Sequence, residues 1–290
     1  MADQDESETA NLINTESEPE PVQAHTIDTL FKSLGECERF QFIFFPLAYF
    51  PFLPPAWVVY FMIFGSYNPG WKCHDKLKLN TTETLEYFNN INISTNHDVY
   101  SFIGNETSGS SCEAMQLCTN WTFNDEASTI VTEWGLVCSE YWVAPLIFSI
   151  QTVGALMGTF CSGYVGDRFG RKFSVHGSAA ILVVTNLIAI FSVSWKMYAV
   201  IRFFIGFGSG GILTSVAVYT FEFIPGWWRA CVGTFPFWNL ATLTFGVCVV
   251  ALKNWRHIHI ATAIISLMAF LPVIWLPESL RFLTVHGKLD

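Results

Sequence analysis

Six long apolar stretches constrain the fold of this chain more than any other feature of its sequence. They cover residues 41–64, 143–165, 174–194, 198–221, 231–252 and 257–276. A helix needs about 20 apolar residues to cross the hydrocarbon core of a bilayer, and each stretch is long enough. Because the stretches are continuous rather than alternating, they do not fit a membrane β-barrel. The sequence therefore predicts an all-α polytopic membrane protein with six transmembrane helices.

Charged residues are scarce, and most of them lie outside these stretches. They make up 13% of the chain, whereas soluble domains carry about 25%. Of the 24 acidic residues, ten lie in residues 1–38 and ten in residues 65–142, which leaves four elsewhere. This distribution argues against a nucleic-acid-binding protein and against a cytosolic enzyme. Residues 1–40 are acidic and poor in apolar side chains, so we expect a largely disordered cytoplasmic tail.

The basic residues predict how the helices cross the membrane. If the N-terminus is cytoplasmic, eight Lys and Arg residues fall on that side and three fall in the short outer loops. Positive charge favours the cytoplasmic side, so we expect both termini to lie there. The first transmembrane helix is then 41–64, and a large extracellular loop at 65–142 separates helices 1 and 2. Helices 2 to 6 lie within residues 143–276.

The predicted loop at 65–142 carries two signs of an extracellular location. It contains four N-glycosylation sequons, at Asn80, Asn92, Asn105 and Asn120. It also contains four of the eight cysteines, which are Cys73, Cys112, Cys118 and Cys138. In an oxidising compartment this even number predicts two disulfides, for which three pairings remain open. We therefore predict a glycosylated, disulfide-bearing loop.

The densest motif, Gly163-Tyr-Val-Gly-Asp167-Arg168-Phe-Gly170-Arg171-Lys172, joins the second and third stretches. The orientation rule accounts for its cations but not for its acid or for glycines at a tight turn. Asp167 lies at the end of a helix, where the helix dipole disfavours a carboxylate, so it should pair with a cation. We expect an ion-pair network on the cytoplasmic face of the helices. Its predicted members are Asp167, Glu222, Glu278, Arg168, Arg171, Arg229 and Arg281.

A stripe of small residues precedes that motif at four-residue intervals. Its members are Gly154, Gly158, Ser162 and Gly166. Such a stripe lets another helix approach closely in a membrane. Static packing and a sliding interface are both open interpretations.

The fourth stretch combines an arginine with a run of glycines, Gly206-Phe-Gly208-Ser-Gly210-Gly211. The run matches a nucleotide-binding string, but no strand precedes it, so we reject that interpretation. Arg202 lies near the outer end of the stretch. It either snorkels to the membrane surface or forms a buried ion pair.

These motifs resemble the successive signatures of the major facilitator superfamily. The matching strings are Gly163–Lys172, Arg202-Phe-Phe-Ile-Gly206, Glu222 with Arg229, and Pro277-Glu278-Ser-Leu-Arg281. The long loop with its sequons and cysteines narrows the resemblance to the organic cation, anion and carnitine transporter family. The resemblance implies the N-terminal six-helix bundle of that fold, with residues 277–290 as the cytoplasmic start of a central loop. It also implies a role in conformational gating for Gly163, Asp167, Arg168, Gly170, Arg171, Lys172, Arg202, Gly206, Glu222, Arg229, Pro277, Glu278 and Arg281.

The same resemblance implies a multi-pass plasma-membrane transporter that moves small organic ions across the lipid bilayer by alternating access. Members of the family have two six-helix halves, so this chain would need a second half or a full-length relative as partner. The surface facing the small-residue stripe would then come from the missing half. Gln151, Trp238 and Asn239 are candidates for substrate binding, and interhelical hydrogen bonding is the competing interpretation.

Another class of function remains open. A truncated relative without transport activity could act as an assembly partner or as a surface-interaction protein, and the chain could be a fragment, a truncated isoform or a functional half. An enzyme is not expected, because no catalytic spacing is recognisable. His257 and His259 are two residues apart and do not share a helix face, so we predict no metal site. No cofactor and no nucleic-acid partner are expected either.

Overall fold

The structure, a computed structural model, describes residues 50–73, 121–124, 127–222 and 237–275. This part of the chain is mostly helical, as predicted. Its elements are α1 (Leu53–Gly65), β1 (Trp71–Cys73), β2 (Trp121–Phe123), α2 (Ile130–Trp134), α3 (Val143–Phe169), α4 (Arg171–Ala189), α5 (Trp195–Glu222), α6 (Phe237–Leu252) and α7 (Trp255–Trp275).

Helix α1 and helices α3 to α7 overlap the six predicted apolar stretches in order. Within the described residues, three helical segments are long and apolar enough to cross a membrane, namely Cys138–Phe169, Arg171–Ala189 and Trp195–Glu222. The same ranges contain three shorter apolar segments, namely Phe50–Gly65, Trp238–Leu252 and Trp255–Leu271. The predicted tail 1–40, the four sequons, Cys112, Cys118 and the segment 277–290 lie outside the described residues.

Helices α3 and α4 are joined by one residue, Gly170, whose φ of 107° is strained for any residue with a Cβ atom. A connection this short holds the last turn of α3 beside the first turn of α4. The tight turn expected from the motif is therefore made by Gly170. Gly163 instead lies within α3, where an added Cβ would meet nothing within 4 Å.

Helix α5 packs against α3 at backbone contact distance. A Cβ atom at Gly154 or Gly158 would lie well under 3.0 Å from a backbone carbonyl oxygen of α5. Conversely, a Cβ at Gly206 or Gly210 would lie equally close to a carbonyl oxygen of α3. Each of these glycines therefore faces the backbone of the other helix and allows a contact that no other residue type permits.

The partner of the small-residue stripe is thus part of this chain, and the expectation of a partner in a missing half is wrong. Gly154 and Gly158 face α5, and the Ser162 hydroxyl donates a hydrogen bond to the Gly211 carbonyl of α5 at 2.8 Å. Gly166 faces the first turn of α4 instead, where its nearest neighbour is the Arg171 side chain. The four-residue spacing of the small residues identified the contact face of α3, but it did not indicate which helix would pack against that face.

The segment that follows α1 is fastened to the helices by a small unit formed by β1, β2 and α2, called the collar below. The two strands are antiparallel, and Cys73 pairs with Trp121 at their open end. Beside α2, the Thr129 hydroxyl donates to the Tyr67 carbonyl at 2.9 Å. The collar therefore brings together the two ends of a segment of 47 residues, 74–120.

One ion pair attaches the collar to α7. Glu133 on α2 accepts a hydrogen bond from the Trp255 indole at 2.6 Å and pairs with the Arg256 guanidinium. The same guanidinium donates to the carbonyls of Ile190 and Ser192, just after α4. Arg256 therefore joins the collar, the end of α4 and the start of α7.

We expect Glu133→Ala to weaken this attachment, because it removes both the charge and the indole acceptor. The side chains of the pair are about one-third exposed, so the loss should be about 1 kcal/mol, or about 2–4 °C in Tm. Thermal unfolding of the purified chain in nanodiscs checks this. Glu140→Gln, at an exposed acid between α2 and α3, is the control. Equal Tm values for the two variants would contradict the assigned role of Glu133.

Candidate functional site

The predicted ion-pair network is centred on Arg171, the first residue of α4. One of its guanidinium nitrogens lies 2.7 Å from the Asp167 carboxylate, in the last turn of α3. Its Nε atom lies 3.5 Å from the carboxylate of Glu222, the last residue of α5. Arg171 therefore joins the ends of three helices, and the three side chains are called the junction below.

The two carboxylates of the junction differ in their environment. The Asp167 side chain is 70% exposed, whereas that of Glu222 is 12% exposed. Ion pairs in contact with water contribute little, because solvent screens them. Glu222 should therefore be the stronger partner of Arg171.

The other charged residues and Pro277 of the predicted network and gating set are placed differently. The Arg168 guanidinium donates to the Tyr164 hydroxyl at 2.7 Å and lies beside the Phe169 ring. Lys172 offers its backbone carbonyl to the His176 ring at 2.6 Å. The remaining predicted residues, Arg229, Pro277, Glu278 and Arg281, lie outside the part of the chain that the structure describes.

A cluster of three buried serines lies behind the junction, where Ser162 of α3, Ser174 of α4 and Ser215 of α5 meet. The Ser174 hydroxyl lies 3.0 Å from that of Ser162 and 2.8 Å from that of Ser215. Ser162 and Ser215 also contact each other. The cluster holds α3, α4 and α5 together with buried hydrogen bonds that water cannot replace easily.

The three candidate substrate residues are not gathered at one point. Gln151 is buried, and its amide donates to the Val58 carbonyl of α1 at 3.2 Å. Trp238 is half-buried and donates to the Tyr60 hydroxyl of α1 at 3.0 Å, while Asn239 is exposed. Gln151 and Trp238 therefore connect α3 and α6 to α1, which is the geometry of interhelical hydrogen bonding.

A second polar cluster, missed by the sequence analysis, lies among α4, α5 and α7. Asn186 donates to the Leu182 carbonyl at 2.8 Å, so its amide oxygen accepts from Nδ1 of His259 at 2.8 Å. Nε2 of His259 is then free to accept from the Tyr198 hydroxyl at 3.0 Å. This order of donors fixes the Nδ1–H tautomer of His259. A buried asparagine and a histidine within apolar stretches were the available signal.

Arg202 lies next to this cluster and fits neither of its two predicted roles. Its side chain is fully buried, so it does not snorkel. No ion pair involves it in the described ranges, whose salt bridges are made by Arg171 and Arg256. Its guanidinium instead stacks on Phe61, at 4.2 Å from the ring centroid, and lies 5.3 Å from that of Tyr198.

Comparison with known families places these features in context. The model of the family described as "Sugar (and other) transporter" matches residues 82–290. Human Organic anion transporter 3 is 34% identical over 181 residues, which is 60% of this chain and 33% of that protein. Organic anion transporter 3 of Pongo abelii is 28% identical over 279 residues, 91% of this chain and 49% of that protein. Organic cation/carnitine transporter 2 of Rattus norvegicus is 30% identical over 174 residues, covering 58% and 31%.

Solved structures show the same fold. The inward-open conformation of the xylose transporter XylE from E. coli is 15% identical, with a TM-score of 0.50, and the match covers 85% of this chain and 50% of that one. A double tryptophan mutant of XylE is 14% identical, with a TM-score of 0.54, and covers 86% and 47%. The chain thus spans about half the length of these structures, and between about a third and half of the curated relatives given above. This multi-pass membrane protein belongs to the sugar (and other) transporter family, in the organic anion, cation and carnitine branch of the major facilitator superfamily.

Proposed function

We propose that this chain supplies the N-terminal six-helix half of a plasma-membrane transporter that moves small organic ions by alternating access. The names of its relatives, which transport organic anions or organic cations and carnitine, support this substrate class. The single observation that carries the mechanism is the junction. There one arginine pairs with acids from two other helix ends, an arrangement that a change in helix positions would break.

The proposal includes the topology expected from the sequence. Six helices cross the membrane, both termini are cytoplasmic, and the segment between α1 and α3 is extracellular. Glycans at the four sequons and disulfides among Cys73, Cys112, Cys118 and Cys138 belong to this proposal. The distribution of Lys and Arg residues between the two sides of the membrane supports this topology. In this topology the junction lies at the cytoplasmic end of the helices and the collar at the extracellular end.

The proposed gating role rests on how the junction is built. Gly170 and the serine cluster hold the ends of α3, α4 and α5 close together. The Arg171 side chain therefore contacts both carboxylates while its backbone remains part of α4. Such a set of ion pairs stabilises one arrangement of the helices and must separate in another. The other residues of the predicted gating set, including Arg168 and Lys172, remain proposed members.

Uptake in cells tests the transport proposal. Cells expressing the 290-residue chain, with surface biotinylation as the measure of delivery, would be given panels of labelled organic cations and organic anions. We expect saturable uptake above that of empty cells for the chain alone, or, after co-expression with a full-length relative, above that of cells expressing the relative alone. Delivery to the surface without such an increase in either setting would contradict the proposal.

A second candidate function is a non-transporting relative that assembles with full-length members or uses its extracellular loop for surface interactions. The match covers between about a third and half of the length of these relatives. Co-purification with a full-length relative, together with no uptake by the chain alone and no change in uptake by the relative, would support it.

A further inference from the structure

A cavity of about 400 Å³ lies where α1, the collar and α3 meet. The last turn of α1 contributes Met62 and Ile63 to its lining, and α2 of the collar contributes Val131. The first turns of α3 complete the lining with Ala144 and Phe148. Ligand pockets run from about 300 to 1,000 Å³, so this cavity has room for one small molecule.

The lining is apolar within the two long helices and polar at their ends. Ser66 and Asn68 follow the last turn of α1, and Tyr141 precedes the first turn of α3. Among the described residues that line the cavity, none is charged. Burying an ion without a partner is costly, so the cavity does not suit the organic ions of the proposed transport function. It suits a neutral amphiphile with its polar group at the helix ends.

The hydrogen bonds at the polar end select the kind of polar group. The Ser66 hydroxyl donates to the Met62 carbonyl at 2.5 Å, so its oxygen can accept a further hydrogen bond. The Asn68 Oδ1 atom accepts from the Gly70 N–H at 3.0 Å, which leaves the amide NH₂ group of Asn68 to donate. A hydroxyl both donates and accepts, whereas an ester oxygen only accepts. A hydroxyl is therefore the group that matches this end of the cavity.

Part of the cavity lining belongs to the outer surface of the helices. Ile63 is 70% exposed, and Phe148 is exposed as well. In a multi-pass membrane protein this apolar surface continues into the one that lipid chains cover. Tyr141 and Trp142 are exposed at the start of α3, and such aromatic residues favour the level of the lipid headgroups. A ligand can therefore enter sideways from the bilayer, with its hydroxyl at headgroup level.

We propose that this cavity binds a sterol of the bilayer, with its hydroxyl at Ser66 and Asn68 and its fused rings between α1 and α3. A sterol has one hydroxyl on an apolar body, which is the amphiphile that the lining selects. Its rigid rings lose little conformational freedom on binding, whereas an acyl chain would be ordered at every bond. The ring of Phe148 offers a flat apolar surface to the sterol. This inference goes beyond the proposed function and does not require transport.

Photolabelling of the full chain in phosphatidylcholine nanodiscs tests the site. The probe is cholesterol with a diazirine on its ring system, and labelled peptides are mapped by mass spectrometry. We expect saturable labelling within residues 62–68 and 141–148, displaced by unlabelled cholesterol. Epicholesterol has the same size but an inverted hydroxyl, so about tenfold more of it should be needed for displacement.

Three results would overturn the proposal. Labelling that rises in proportion to the probe, or that spreads along all exposed helix faces, would show ordinary contact with the bilayer. Equal displacement by the two sterols would show that the hydroxyl is not bound. An absence of saturable labelling would show that a second copy or another part of this chain fills the cavity.

Ala144→Phe tests the cavity itself, because Ala144 is buried in its lining and a phenyl ring there would occupy the space of the sterol. Saturable labelling should be lost. Leu146→Phe is the matched control, since Leu146 is an exposed residue of α3 that does not line the cavity. It should label as the natural chain does. Unchanged labelling in Ala144→Phe would overturn the proposal.

Ser66→Ala covers the case in which the phenylalanine variant does not fold. It removes one hydroxyl and keeps the apolar walls, so labelling should persist while the preference for cholesterol over epicholesterol falls about threefold. Tyr67→Phe, at the next residue and outside the lining, is its control. An unchanged preference in Ser66→Ala would overturn the site. Saturable sterol labelling without uptake of any labelled ion would contradict the transport function and leave the site standing.

Discussion

Gly206→Ala is expected to separate α3 from α5 and to destabilise the fold by about 3 kcal/mol or more. The added Cβ would meet the backbone carbonyl of Gln151 and not the end of a side chain, so no rotamer change can relieve the contact. One helix must move, and the neighbouring contacts at Gly154 and Gly158 would be lost with it. Thermal unfolding followed by tryptophan fluorescence, in nanodiscs, measures the effect.

Gly177→Ala on α4 is the matched control, because a Cβ there would meet nothing within 4 Å. Alanine is the better helix former, so this variant should equal or exceed the natural chain in stability, by up to about 1 kcal/mol. The two substitutions are chemically identical and differ only in the space available. Equal stability of the two variants would show that α3 and α5 do not approach as closely as described.

Glu222→Gln is expected to open the junction more than Asp167→Asn does. The Asp167 pair is the shorter, at 2.7 Å against 3.5 Å, but this changes the Coulomb energy only about 1.3-fold. Burial has the larger effect, because the effective dielectric constant falls about fourfold between water and a partly buried site. The 12% exposed glutamate should therefore contribute more than the 70% exposed aspartate.

Amide hydrogen exchange of residues 163–175 measures opening of the junction whether or not the chain transports. We expect exchange about tenfold faster in Glu222→Gln and about twofold faster in Asp167→Asn. Glu140→Gln, remote from the junction, should leave these amides unchanged. Where uptake is measurable, the order of the two variants should be the same. A larger effect of Asp167→Asn would contradict the ranking of the two ion pairs.

The sequence predicted those features that depend on local spacing. Apolar stretches of about 20 residues predicted the positions of α1 and α3 to α7, because membrane thickness sets that length. That Asp167 pairs with a cation was predictable because the helix dipole disfavours a carboxylate at the C-terminal end of a helix. The larger contribution expected from the Glu222–Arg171 ion pair could not be predicted from the sequence, because the exposure of each carboxylate depends on how the helix ends pack.

Features that join distant segments escaped the sequence. Glu133 and Arg256 are 123 residues apart, and the sequence around either residue does not identify the other as its ion-pair partner. The small-residue stripe that begins at Gly154 predicted a close helix contact but did not identify α5 as the partner helix. Arg202 was expected on the membrane surface or in an ion pair, because sequence does not show that the rings of Phe61 and Tyr198 enclose it.

The strand pair of the collar has a consequence for how such a chain can change over time. Because Cys73 and Trp121 are paired, the two ends of the segment between them are held together, as in a closed loop. Doubling the length of such a loop costs only about 0.6 kcal/mol of closure entropy. Insertions, deletions or a whole exchanged module between residues 74 and 120 would therefore leave the membrane helices in register. The collar is a permissive boundary at which the segment 74–120 can diversify independently of the membrane helices.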